Sequence, residues 1–281
     1  MPIFRTPDPV SVTVEVAAGD VRINATDRED TVVVVRPRDP SRESDVVAAE
    51  RTTVEYSAGR LLIRGARQSA LGLFTRAGSV DIVLDVPTGS SLQAHASAAK
   101  FHSTGALGEC RVRTSAGDIE LDSTGMLELS TGSGSIVVDR VAGDAGINTG
   151  SGRVRIGSIS GRAEIKNANG DSWVGEAGGD LRISAANGDV SIDRALASVS
   201  AATANGAVRL REAARGSTSL KSGKGEIEIG IRTGTAARVD VATGFGSVRN
   251  QLSAADSPEP TDEKLDVRAR TGYGDIVIRR A

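Results

Sequence analysis

Aromatic side chains make up only 2% of this 281-residue chain: one Trp, two Tyr and four Phe. Large rings dominate the packing of many ordinary cores. Here Val, Ile, Leu and Ala have to do that work, which suits a core only two side chains thick. The single cysteine, Cys110, excludes an intrachain disulfide. It lies on the inward phase of Gly108-Glu-Cys-Arg-Val112, which predicts a buried structural thiol rather than a reactive one. The two histidines, His95 and His102, fall in the irregular N-terminal region, and no Cys/His cluster has zinc spacing. No metal, cofactor or catalytic residue is therefore predicted. With 34 Lys+Arg against 36 Asp+Glu, the net charge of −2 offers no general attraction to nucleic acid or to an anionic membrane. No stretch approaches the roughly 18 apolar residues of a membrane helix. The start, Met1-Pro-Ile-Phe-Arg-Thr-Pro-Asp-Pro9, carries no apolar signal core. The expectation is a soluble, cytoplasmic protein without a transmembrane segment.

What the chain has in abundance is glycine, 33 residues of it, and the spacing is regular. From Gly108 to Gly234 a glycine returns almost every nine residues, with Ala197 in the one vacant slot. After each comes a short alternating run, such as Gly117-Asp-Ile-Glu-Leu121, Gly152-Arg-Val-Arg-Ile156 and Gly188-Asp-Val-Ser-Ile192. Alternation with period two signals a strand, and glycine signals the turn that ends it. The units are of two alternating kinds. One carries Thr, Asn or Ser three residues before its glycine: Thr114, Thr131, Thr149, Asn167, Thr203 and Ser222. The true repeat is thus about eighteen residues, two strands and two turns. A single such coil cannot bury its apolar face, so self-similarity at this period predicts stacked coils. High glycine with few aromatics also fits disorder, but the regular alternation argues against it.

The predicted fold is all-β: a two-sheet parallel β-solenoid of about eighteen residues per coil, built from nine-residue half-repeats. It spans 1–281 as one domain. Residues 1–95 are irregular N-terminal strands and a cap, 96–250 regular coils, 251–264 an exposed loop, and 265–281 the final coil. Val10–Val16, Val21–Asn24 and Thr31–Arg36 read as three strands joined by short turns. Val46–Glu50 reads as a helical turn, and Thr52–Tyr56 with Leu61–Arg64 as a hairpin around Ala58-Gly59.

Residues eighteen apart should stack at about 4.8 Å. That places Ile119, Ile136, Val154, Val190, Val208 and Ile227 in one inward ladder, and Leu129, Ile147, Ile165 and Ile183 in the other. Outward neighbours become pairs: Glu164 beside Arg182, Arg153 beside Asp171, and Asp144 and Asp180 flanking Arg162. Asn169, Asn187 and Asn205 recur at one turn position, which reads as a stacked ladder.

Two apolar features stand out as an interaction surface. Trp173 points outward with Arg155 beneath it, a composition found at binding surfaces and equally in simple packing of Arg over Trp. Leu71, Leu73 and Phe74 sit in the segment Arg67–Gly78, which breaks the pattern and is either a cap or a binding element. Asp171 and Asp189 on adjacent coils have the makings of a glycosidase-type carboxylate pair, but small residues flank them and Trp173 is the only aromatic platform. A calcium-binding nonapeptide roll fits poorly, because the acidic residue directly follows the glycine and many units carry Arg or Ser instead.

The repeated Thr/Asn-x-x-Gly-Asp-Val-x-Ile phrase resembles the bacterial β-strand-repeat proteins called "putative adhesins", or Toastrack domains. It is most similar to their actinobacterial, cytoplasmic-looking members. The stretches that carry the likeness are Gly19-Asp-Val-Arg-Ile23, Asp30-Thr-Val-Val-Val-Val-Arg-Pro37, Gly161-Arg-Ala-Glu-Ile-Lys-Asn-Ala-Asn-Gly170, Ala186-Asn-Gly-Asp189, Val248-Arg-Asn250 and Tyr273-Gly-Asp-Ile-Val-Ile-Arg-Arg280. They cover nearly the whole chain. The resemblance implies a non-enzymatic scaffold for interaction or assembly, tied to envelope-stress or membrane-associated systems. An unknown protein partner is expected, with self-association through uncapped solenoid ends beside it. The alternatives are a polysaccharide-acting β-helix enzyme and a self-polymerising structural protein.

Overall fold

Alternating side chains and regularly spaced glycines fold here into short strands closed by tight turns. The computed structural model describes residues 2–65, 78–252 and 263–281. The chain divides into two compact units, 1–138 and 139–281. The fold is an all-β parallel solenoid, with one short helix among the described residues.

The first unit contains β1 (Ile3–Arg5), β2 (Ser11–Thr26), β3 (Asp30–Pro37), α1 (Glu43–Glu50), β4 (Thr53–Ser57), β5 (Arg60–Arg64), β6 (Val80–Pro87), β7 (Ser91–Leu107), β8 (Cys110–Ala116), β9 (Ile119–Thr124) and β10 (Leu127–Ser133). Strands β2 and β7 pair in parallel from Ser11↔Ser91 to Asn24↔Thr104. The first half of β7 then pairs with β8, aligning Leu92 with Cys110. Its second half pairs with β9, aligning Phe101 with Ile119. What later coils make as two strands and a turn, β2 and β7 make as one long strand. This corrects the expectation that Val10–Val16 and Val21–Asn24 are separate strands. The bend falls at Ala17-Ala-Gly19, where a Cβ on Gly19 would lie 2.0 Å from the Val80 carbonyl oxygen. Without a side chain the backbone passes through.

The other edge of β2 is closed in an irregular way. Strands β5 and β6 pair with it in parallel, and then β4 on β5, β3 on β6 and β1 on β3 run antiparallel. The hairpin turn falls at Ala58 (φ 48°) and Gly59 (φ 76°), as its sequence predicts. Phe4 packs against Tyr56 with ring centroids 5.0 Å apart. Helix α1 packs on β3 and β6 and starts three residues earlier than expected, with Glu43 and Asp45 in its first turn. The buried Asp45 carboxylate accepts the backbone N–H groups of Asp39 and Ser79.

After β11 (Ile136–Val141), the second unit contains β12 (Ala145–Ser151), β13 (Val154–Ile159), β14 (Ala163–Asn169), β15 (Ser172–Ala177), β16 (Leu181–Asn187), β17 (Val190–Ala195), β18 (Val199–Asn205), β19 (Val208–Ala213), β20 (Gly216–Lys224), β21 (Ile227–Ile231), β22 (Thr235–Phe245), β23 (Val248–Asn250), β24 (Glu263–Tyr273) and β25 (Ile276–Arg280). From β12 to β19 each strand pairs in parallel with the strand two further on. One series stacks β12, β14, β16, β18 and β20, and the other β13, β15, β17, β19 and β21. The offset is eighteen, as in Glu164↔Arg182 and Arg155↔Trp173, and becomes nineteen at Val199↔Thr218. Val154, Val190, Val208, Ile227, Ile147, Ile165 and Ile183 are all buried, so the predicted inward ladders hold.

The last part departs from chain order. Strands β24 and β25 pair with β20 and β21 on one side and with β22 and β23 on the other. The coil 263–280, last in sequence, is thus intercalated, and the coil β22–β23 lies outermost in this unit.

Candidate functional site

Three rows of side chains line the turns of the solenoid. The first follows the Gly-Asp phrase. Asp144 Oδ1 accepts the Arg162 N–H at 2.8 Å, Asp171 the Asp189 N–H at 3.0 Å, Asp180 the Ser198 N–H at 3.3 Å, and Asp189 the Ala207 N–H at 2.8 Å. In the first unit Asp118 accepts the Ser135 N–H at 3.0 Å. Each carboxylate holds a turn donor of the next coil. Asp189 also takes the Arg209 guanidinium at 2.9 Å. The Ala207 N–H, followed by Arg209, holds its carboxyl below the usual carboxylate range. The Ser247 N–H, reinforced by Arg249, does the same to Asp275.

The second row points inward. Ser222 donates to the Gly206 carbonyl at 2.8 Å and Thr271 to the Gly225 carbonyl at 2.9 Å. Asn167 stands in the same row and donates to the Gly152 and Gly170 carbonyls. Its longer side chain is matched by Ser172, a small residue in the apolar ladder 3.3 Å away. The third row is the predicted asparagine ladder. Asn187 donates to Asn169 at 2.8 Å and Asn205 to Asn187 at 2.9 Å.

The sheet faces carry the remaining candidates. Arg155 and Trp173 lie in register on β13 and β15, with the guanidinium carbon 4.5 Å from the ring centroid. Trp173 is half-buried, and its ring lies beside Gly175, where a Cβ would come within 3.1 Å of Cη2. The absence of a side chain at 175 lets the indole lie along the sheet with Arg155 over its face. Leu71, Leu73 and Phe74 lie outside the described residues. Cys110 is buried, and burial pushes its thiol up to about 12. Among the described residues no group of three or more His, Cys, Asp or Glu is placed to hold a metal ion, and no helix is long and apolar enough to cross a membrane.

One feature was not expected from the sequence. Phe245 and Tyr273 stack with centroids 4.8 Å apart and planes 7° off parallel, and they are 67% and 55% exposed. Val248, on an inward position, is 44% exposed, whereas its neighbour Ile276 on β25 is fully buried. The core opens to solvent at the coil β22–β23. A signal was present in two copies of one phrase, Thr243-Gly-Phe-Gly-Ser-Val248 and Thr271-Gly-Tyr-Gly-Asp-Ile276, which place the two rings in register.

Fold and site together define a β-solenoid whose polar residues mainly bind coil to coil. The chain belongs to the Toastrack DUF4097 family, whose model matches residues 10–222. No curated protein matches it. Among solved structures it is similar to a "putative adhesin" from Bacteroides fragilis, with a TM-score of 0.34 and 13% identity over 99% of this chain and 95% of that one. A "putative adhesin" from Parabacteroides merdae gives 0.33 and 9%, over 100% and 95%. A "putative cell adhesion protein" from Clostridium sporogenes gives 0.28 and 10%, over 100% and 98%.

Proposed function

We propose that this protein is a non-enzymatic scaffold that binds a protein partner and assembles through its solenoid. The observation that carries the reading is the state of the carboxylate pair an enzyme would need. A glycosidase-type site requires one carboxyl kept protonated as general acid, by a raised pKa. Asp171 and Asp189 instead spend their Oδ1 atoms on backbone N–H groups of the next coil, and Asp189 is pushed towards the charged form. Their geometry serves the stack.

The Arg155–Trp173 pair is the partner face in this reading, because it offers a flat, half-exposed ring beside a cation. Arg155→Ala with Trp173→Ala should abolish capture of a host protein partner while leaving the melting temperature within a few degrees of wild type. Trp173 is the only tryptophan, so binding should also shift its fluorescence. Undiminished capture by the double variant, or hydrolysis of a polysaccharide panel that Asp189→Asn abolishes, would overturn the proposal. The link to an envelope-stress or membrane-associated system, the actinobacterial origin and a cytoplasmic site of action rest on the sequence reading. Fractionation of host cells and the identity of the captured partner test them.

A further inference from the structure

We infer that the outermost coil of the second unit pairs with the same coil of a second copy of this chain, antiparallel and about a two-fold axis at Val239. This deepens the assembly half of the scaffold reading and is independent of the Arg155–Trp173 face.

Three observations carry it. First, β22 and β23 each pair with a single strand among the described residues, on the β24–β25 side. Their other edge is eleven residues long in β22, and a long unpaired edge is a template for another strand. Second, the apolar row is left open there. Val239 and Val241 are only half-buried, whereas their neighbours Val267 and Ala269 on β24 are buried. Val248 is exposed in the same way. Third, the edge strand is self-complementary.

That third point decides the occupant. Residues 235–243 read Thr-Ala-Ala-Arg-Val-Asp-Val-Ala-Thr. Antiparallel pairing centred on Val239 sets Thr235 against Thr243, Ala236 against Ala242, Ala237 against Val241 and Arg238 against Asp240, each pair occurring twice. A two-fold interface requires this reciprocity. Arg238 has no carboxylate within ion-pair distance among the described residues. Asp240 is held by Arg270 of its own chain at 2.8 Å. A carboxylate has about four lone-pair sites, so Asp240 can also accept an arginine from the second copy.

The chain closes a parallel coil in this manner elsewhere. In the first unit, antiparallel strands end the sheet: β4 on β5, and β3 then β1 on β6. The edges left there are five and three residues long. Among the described residues only β22 presents a long open edge of this kind in its unit, so pairing produces a closed dimer and not a filament.

Sedimentation of the whole chain should show a monomer–dimer equilibrium that weakens with salt. Arg238→Glu puts like charges opposite each other twice and should weaken association about tenfold or more. Val239→Cys sits on the axis, where the facing residues form a hydrogen-bonded pair with Cα atoms about 5.5 Å apart and a disulfide can form. Mild oxidation should link it covalently into dimers, while Ala202→Cys, on the face of β18, should not be cross-linked. A wild-type monomer at all concentrations overturns the inference, as does open-ended growth. A dimer that Arg238→Glu leaves intact, or that Val239→Cys fails to link, also overturns it. None of these results bears on the Arg155–Trp173 face.

Discussion

Replacing Gly188 by alanine tests the stacking directly, with Gly234→Ala as its control. Both glycines have positive φ, +131° and +81°. A Cβ on Gly188 would lie 2.2 Å from the Gly170 carbonyl oxygen and 2.5 Å from its carbon, whereas a Cβ on Gly234 meets nothing within 4 Å. Relieving the clash means opening the coils by about 1 Å against a spacing of about 4.8 Å. The Gly170 N–H to Asn187 carbonyl bond, 2.8 Å long, is the first to stretch beyond hydrogen-bond range. Backbone strain of about 1–3 kcal/mol and overpacking of about 1–3 kcal/mol add to the lost bond of about 1 kcal/mol. The sum for Gly188→Ala is about 3–7 kcal/mol, against about 1–2 kcal/mol for Gly234→Ala, where only the left-handed backbone term applies. At about 2–4 °C per kcal/mol, the first should lower the melting temperature by about 6–28 °C and the second by about 2–8 °C. Thermal unfolding followed by far-ultraviolet circular dichroism measures both. Equal shifts in the two variants would refute the claim that contact between coils sets the glycine requirement.

Val154→Asp should unfold much of the second unit, because Val154 is fully buried and an unpaired buried charge costs about 3–5 kcal/mol; an unchanged melting curve would count against the inward ladder. Asp189 and Asp275 titrate lower folded than unfolded, so the stability they add is present above the unfolded value of about 4 and is lost as pH falls through the folded values. Urea unfolding of Asp189→Asn, which keeps an acceptor oxygen, should show a shallower loss of stability in acid than wild type, and identical pH profiles would contradict the assignment. Cys110 should resist thiol reagents at neutral pH until denaturant exposes it; rapid labelling of the folded chain would contradict the buried thiol.

The eighteen-residue register was legible because side-chain alternation and glycine spacing both report it, and Glu164 does lie beside Arg182. The asparagine ladder followed from the same arithmetic. The aspartates share that register, with Asp144 against Arg162 and Asp171 beside Arg153, but they bind backbone where ion pairs along the face were expected. An aspartate just after a turn glycine is short, and its Oδ1 reaches the next coil's N–H instead. The order of the last coils was also hidden. Thr243-Gly-Phe-Gly and Thr271-Gly-Tyr-Gly offer the same turn and the same alternation, so local sequence does not say which lies against β20. The open coil and its exposed rings follow from that order, and were missed with it.

The intercalated coil imposes a schedule on folding. Residues 235–250 are synthesised before 263–280, yet their native seat is formed by the later segment. Until that segment exists, the edges of β20 and β21 are open to the earlier coil, which matches them in turn and alternation. The second unit therefore cannot grow by adding each coil as it emerges. It must either hold 235–250 undocked or dislodge them when 263–280 arrive. Closure over such a separation is slow, because loop entropy is lost before the contacts are gained. A chain shortened before residue 263 would carry its outer coil on the wrong neighbour, and stop-codon series read by limited proteolysis would reveal that substitute pairing.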